Sequence, residues 1–177
     1  MTDERYAEKQ IYRVMINAPI DRVWSELVER TRPRPFFWNG SWDGPGLAPG
    51  NPYRVTGNNG QSVAVIGKVI EMDPPRRMVT SFRLTSLPDP ASKVTYTLEE
   101  KNGKTEFSLI TENIIVGSKS EKSMADGAKF IVENFKAYVE TGNVTFSAQL
   151  MLAMFGLMAP LTPKTMKAEN WPLEKAE

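Results

Sequence analysis

Neither histidine nor cysteine occurs in the 177 residues, so the side chains that most often do chemistry near neutral pH are missing. Zinc sites built on Cys or His are excluded. So are Ser-His-Asp and Cys-His nucleophilic catalysis and a histidine general base. Acid–base work falls to Asp, Glu, Tyr, Lys or a bound water. Tyr96 and an inward carboxylate such as Glu71 are the candidates for it, and Glu71, Arg83 and Glu112 are the polar residues that could fix a ligand, all within β-patterned stretches. Tyr96 shares the apolar side of its stretch with Val94 and Leu98. A hydroxyl there needs a partner and could orient a ligand. Arg83 falls opposite Phe82 and Leu84, and Glu112 opposite Thr111, so alternation turns both toward solvent, the orientation expected of Glu71 as well. If one of the three faced inward, it would supply the polar group that fixes a ligand in an apolar pocket. No metal site and no cofactor is expected.

Charge excludes a further class. Lys plus Arg is 22 against Asp plus Glu at 21, a net charge of +1, with no basic footprint for nucleic acid. Arg30, Arg32 and Arg34 cluster, but Pro33 and Pro35 interrupt them, and the pattern predicts a solvated loop. The charged opening Thr2-Asp3-Glu4-Arg5 lacks the apolar core of a signal peptide, and the cytoplasm is the expected location. The apolar run Phe146 to Leu161 contains Ser147 and Gln149, meets Pro160, and is short for a membrane span, so no integral span is expected.

The elements that must position these residues follow from periodicity. Residues 10–17 read as a strand that passes almost directly into a helix over 19–29, with proline at a position pre-set for a first helical turn. Ile20, Val23, Trp24, Leu27 and Val28 make one apolar face. Thr31 to Asn51 is broken by prolines and glycines, yet carries Phe36, Phe37, Trp38 and Trp42, rings that must be buried somewhere. From Pro52 the pattern turns to β. Asp73-Pro74-Pro75-Arg76 is a strong turn and Lys101-Asn102-Gly103-Lys104 a hairpin signal. The alternating runs around them predict an antiparallel meander with one buried face. Residues 121–141 form the longest helix, with Met124, Ala128, Ile131, Val132, Phe135, Tyr138 and Val139 as its stripe and Gly142 as its cap. A further helix over about 145–159 is apolar on nearly every side, and the residues from Thr162 read as polar and loose, with Trp171 available to dock. The division expected is a tail over 1–9, a domain over 10–142 and an extension over 143–177.

Strand, helix, aromatic loop, meander and long helix, in that order, resemble the helix-grip fold of the START/Bet v 1-like (SRPBCC) superfamily, and within it the AHSA1-like branch. The residues that carry the likeness are Ala18-Pro19-Ile20-Asp21-Arg22-Val23-Trp24 and Gly67-Lys68-Val69-Ile70-Glu71-Met72-Asp73-Pro74-Pro75-Arg76-Arg77, with Pro49-Gly50-Asn51-Pro52-Tyr53-Arg54-Val55 where that branch has a glycine leading into a Tyr/Trp-Arg strand. The likeness covers roughly 10–142. It departs in a single Gly50 for the usual double glycine, and in the apolar run after 145. It implies an α+β fold, with a curved antiparallel sheet of about six strands around the long helix and a pocket between them.

On that fold the candidate ligand-binding residues are Trp24 on the first helix, Phe36, Phe37 and Trp38 as a lid, Phe82, Tyr96 and Phe107 on the sheet, and Met124, Ile131 and Phe135 on the long helix. Each has a plainer role as core. The favoured function is binding of a small hydrophobic molecule. One alternative is a polyketide cyclase/aromatase-like or hydratase-like enzyme in which Tyr96 or Glu71 acts as acid or base. Another is an Hsp90-type chaperone partner, by analogy of fold alone. The segment Phe146–Met158 has three candidate partners: the open face of its own domain, a second copy in a homodimer, or a membrane surface. Few basic residues flank it, which disfavours the membrane.

Overall fold

The computed structural model describes residues 5–177. Of the expected tail, residues 1–4 lie outside the described residues. Tyr6 makes a β-bridge to Ile115, and Ala7 donates to the Ile114 carbonyl at 2.7 Å.

Seven antiparallel strands form one sheet: β1 (Gln10–Ile16), β2 (Ser41–Asp43), β3 (Pro52–Gly57), β4 (Ser62–Asp73), β5 (Arg77–Leu84), β6 (Ser92–Lys101) and β7 (Lys104–Glu112). Their order across the sheet is β1-β7-β6-β5-β4-β3-β2. The run β2 to β7 is a meander of sequential neighbours, and β1 closes beside β7. Sequence periodicity missed β2. Three residues are too few to show alternation, and they sit inside the proline- and glycine-rich stretch. Trp42 at its centre faces the core and pairs in register with Val55.

The described residues also form three α-helices, α1 (Ile20–Leu27), α2 (Lys119–Thr141) and α3 (Phe146–Met158), beside several short 3-10 turns. Pro19 holds the N-cap of α1 in extended geometry, and Val23, Trp24 and Leu27 go inward. The α2 start is fixed reciprocally. Ser118 Oγ accepts from the Glu121 amide at 3.2 Å, and Glu121 Oε2 accepts from the Gly117 amide at 2.7 Å. Gly142, at φ 80°, ends it in the left-handed conformation that favours glycine. The sheet curls around α2 with Phe107 edge-on to Phe135, ring centres 4.8 Å apart. This is the helix-grip, Bet v 1-like arrangement, with α3 as an extra apolar helix.

The residues after Thr162 are docked, against the expectation of a loose end. They lie along the outer side of β3–β5. Lys167 bridges Ser62, the Trp171 carbonyl accepts from Arg54 Nη1 at 2.9 Å, and Arg83 lies 5.4 Å from the Trp171 ring centre. Ala176 is buried. The segment carries no periodic signal, and what holds it is a backbone bridge, the Trp171 ring, and side chains of the sheet: Arg54 and Ser81 donate to the Trp171 and Glu177 carbonyls, and Arg83 lies 3.7 Å from the Glu177 carboxylate. No single helix among the described residues is long and apolar enough to cross a membrane; α2 and the helical run from Phe146 meet at a bend of 108°.

Candidate functional site

A cavity of about 80 Å³ lies between the inner face of the sheet and α2. Alternation along each strand places its wall. Val65, Phe82 and Leu84, Val94 and Tyr96, and Leu109 and Thr111 come from β4, β5, β6 and β7, and they face Met124, Gly127, Ala128 and Ile131 one or two turns apart on α2. Trp38 lies across one side. Its ring stacks on Phe130 at 4.8 Å between centres, and a Cβ at Gly127 would come within 3.2 Å of its Cη2. The missing side chain at Gly127 therefore makes room for the indole.

Of the candidate residues, Trp38, Phe82, Tyr96, Met124 and Ile131 lie on the cavity wall. Trp24, Phe36, Phe37, Phe107 and Phe135 are packed in the surrounding core. Phe36 sits 4.6 Å from Phe135 and Phe37 6.5 Å from Phe82, ring centre to ring centre. The aromatic loop is thus hydrophobically pinned, with only Trp38 at the cavity. No cavity-lining residue among those described is a carboxylate. Glu71 is exposed and pairs with Arg77 at 2.9 Å. Glu112 pairs with Lys93 at 2.9 Å on the outer face, and this partner holds its carboxyl below the usual range. Arg83 also faces outward, but under the docked Trp171 rather than in open solvent.

The largest departure from expectation is Arg34. The arginine cluster does not form a solvated loop. Arg30 and Arg32 stay near the surface, but Arg34 has 0% exposure. The local backbone dictates this. Pro33 and Pro35 flank the residue, its amide donates to the Gly40 carbonyl at 3.0 Å, and the chain returns through left-handed Trp38 and Asn39. Gly40 is required at the closure, because a Cβ there would meet Val55 Cγ1 at 2.6 Å. The side chain is driven inward among Trp42, Phe37 and Phe36, with its Cζ 4.3, 4.9 and 5.9 Å from their ring centres.

Polar groups gather around it without satisfying it. Arg34 Nη1 donates to the Leu27 carbonyl at 3.3 Å, an oxygen that also accepts from Trp42 Nε1 at 3.2 Å. Arg34 Nε and Nη2 have no hydrogen-bond partner among the described residues, and neither does the Tyr96 hydroxyl. Thr80 Oγ1 lies beside the Tyr53 hydroxyl without a well-formed hydrogen bond. Tyr53 itself donates to the Ser81 carbonyl at 2.7 Å. Burial pushes the guanidinium down to about 9, with Tyr96 and Tyr53 acting in the opposite sense, so it is charged at neutral pH. Burial pushes the Tyr96 phenol far up, opposed by the Arg34 charge, and it is a donor throughout the physiological range. Cation–π contacts of up to about 2 kcal/mol each offset part of the desolvation.

A second cleft, about 330 Å³, opens at the surface near the turn after β3, where Gln61, Ser62, Lys167 and Glu169 meet. Polar and apolar groups share its lining about equally, and its only charged groups, Lys167 and Glu169, are exposed at 3.9 Å from one another.

Residues 17–140, well over half of the chain, match the family described as Activator of Hsp90 ATPase homolog 1-like protein. Among solved structures, CalU16 from Micromonospora echinospora superposes with a TM-score of 0.60 at 21% identity, over 85% of this chain and 84% of that one. DynU16, from the dynemicin biosynthetic locus, gives 0.64 at 20% identity over 78% of this chain and 49% of its own length. The Aha1 dimer from Colwellia psychrerythraea gives 0.60 at 17% identity, over 77% and 98%. At these identities the likeness is one of fold. No curated protein matches the sequence significantly.

Proposed function

The chain belongs to the Activator of Hsp90 ATPase homolog 1-like family, and on that premise we propose that it binds a small apolar molecule in the cavity between the sheet and α2. The observation that carries this reading is the cavity itself: an almost wholly apolar wall built from four strands and one helix, with a single aromatic side chain across it. Its volume of about 80 Å³ is well below the roughly 300–1,000 Å³ of sites that enclose drug-sized ligands. The ligand is therefore small, or it gains room as Trp38 swings away from Phe130. Trp38 is half-buried and sits on a loop rather than on the sheet, so it is the wall residue freest to move. Turnover is disfavoured, because Glu71, the carboxylate an acid–base scheme would need beside Tyr96, faces solvent.

Native mass spectrometry under gentle and then denaturing conditions, followed by titration with octan-1-ol, tests the reading. A released small molecule, or saturable octan-1-ol binding that Ala128→Leu abolishes by filling the cavity, is the expected result. Absence of both would remove the proposal.

A second copy of the chain is the partner proposed for α3. Phe146, Leu150, Met154, Phe155, Leu157 and Met158 are each at least half exposed, which exceeds the single scattered apolar residues of an ordinary surface. The helix carries no charged residue to meet lipid headgroups. The Colwellia relative is described as a dimer.

A further inference from the structure

We propose that the ligand of this cavity carries a carboxylate, received by the Arg34 guanidinium and the Tyr96 hydroxyl. The inference rests on the binding reading above and specifies the chemistry of the ligand's polar end.

Three observations converge on it. First, the unpaired nitrogens of Arg34 can only donate, and the unpaired Tyr96 hydroxyl beside them is able to donate as well. Arg34 offers Nε–H and Nη2–H, and Tyr96 offers its hydroxyl proton. Second, the two free nitrogens are the adjacent pair along one edge of the guanidinium, while Nη1, on the other side, is engaged by the Leu27 carbonyl. That free edge is the one a carboxylate grips with both oxygens. Third, no carboxylate among the described residues takes the position. Glu29, the acid that acts on Arg34 from a distance, is held in the loop by the Thr31 amide and hydroxyl at 2.6 and 2.7 Å.

Tyr96 connects the two parts of the site. It lines the apolar cavity and lies within the field of Arg34. Neither Arg34 nor Phe37 is on the cavity wall; Phe37 lies between the guanidinium and Phe82, in contact with both, so the assignment requires the Phe37 ring to give way to the head group. A buried, unpaired cation is otherwise a heavy liability in a domain of this size. One positive charge matches a singly charged carboxylate better than a phosphate dianion, and the apolar wall matches a hydrocarbon tail.

A matched pair of probes tests the assignment: octanoate and octan-1-ol, titrated at pH 7 by calorimetry against wild type, Arg34→Met and Tyr96→Phe. The expected result is at least tenfold tighter binding of octanoate to wild type. Arg34→Met should bring octanoate down to the affinity of octan-1-ol. Tyr96→Phe should reduce the preference by about tenfold, as for loss of one hydrogen bond to a charged group. Equal affinity of wild type for both probes overturns the carboxylate assignment and leaves the cavity reading standing. Binding of neither overturns both. Should Arg34→Met fail to fold, Tyr96→Phe decides alone, because it keeps the ring packing; an unchanged preference there overturns the assignment.

Discussion

Arg34 shows how a residue can cost stability to serve a site. An unpaired guanidinium at 0% exposure faces a desolvation penalty of several kcal/mol. Replacing it removes that penalty without orphaning its one acceptor, since the Leu27 carbonyl keeps the Trp42 indole N–H. Arg34→Met is therefore expected to raise the stability of the ligand-free protein by about 1–3 kcal/mol in denaturant titration. The pH dependence has a defined sign. The folded-state value, about 9, lies below the ordinary 12.5, so between the two the unfolded chain binds more protons and wild-type stability climbs with pH. The advantage of the variant should be constant below about pH 9 and shrink above it. A variant less stable than wild type at pH 7 would instead make Arg34 a structural cation held by its three rings. None of this was legible in the sequence. Arginine between prolines reads as surface because arginine is rarely buried without a partner. Its burial comes from a loop closure at Gly40 that leaves no periodic trace.

At the scale of elements, most of the fold could be read directly. Alternation in Val94, Tyr96 and Leu98, the Asn102-Gly103 turn and the stripe from Met124 to Val139 are local signals, and they became β6, the β6–β7 hairpin and α2. What stayed hidden depends on contacts between distant residues. Asn134 interrupts the α2 stripe and looks like an unremarkable polar residue, yet it is 2% exposed and fixes the start of α3. Its Oδ1 accepts from the Thr145 amide at 3.0 Å and hydroxyl at 2.9 Å, while its Nδ2 donates to the Phe130 carbonyl at 2.9 Å. Thr145 in turn caps α3 through the Ala148 amide at 3.3 Å. Asn134→Ala should cost about 1–3 kcal/mol, the price of leaving a buried donor and cap unpaired. Hydrogen exchange should localise the effect, accelerating over Phe146–Met158 before α2. Uniform acceleration along both helices would show that α3 is held by its apolar contacts instead.

Across the whole molecule, the two ends of the apolar surface are handled differently. Inside, the sheet and α2 bury a continuous core from Ile16 to Val144 and keep one small cavity within it. Outside, α3 buries only Ala148 completely and leaves Phe146 82% and Leu157 84% exposed. A helix apolar on nearly all sides is stable in water only against a partner. A second copy supplies an identical surface, and two-fold pairing of one patch with itself is the commonest way such a face is closed. Sedimentation velocity should therefore find a dimer at micromolar concentration. Phe146→Ser with Leu157→Ser should convert it to monomer while shifting the unfolding free energy of the monomer by no more than about 0.5 kcal/mol each, because neither side chain is packed within its own chain. The double variant should also leave octan-1-ol binding intact, since α3 contributes nothing to the cavity wall. A monomeric wild type would remove the dimer proposal, and a double variant that loses both dimer and ligand would place the cavity under the control of the interface.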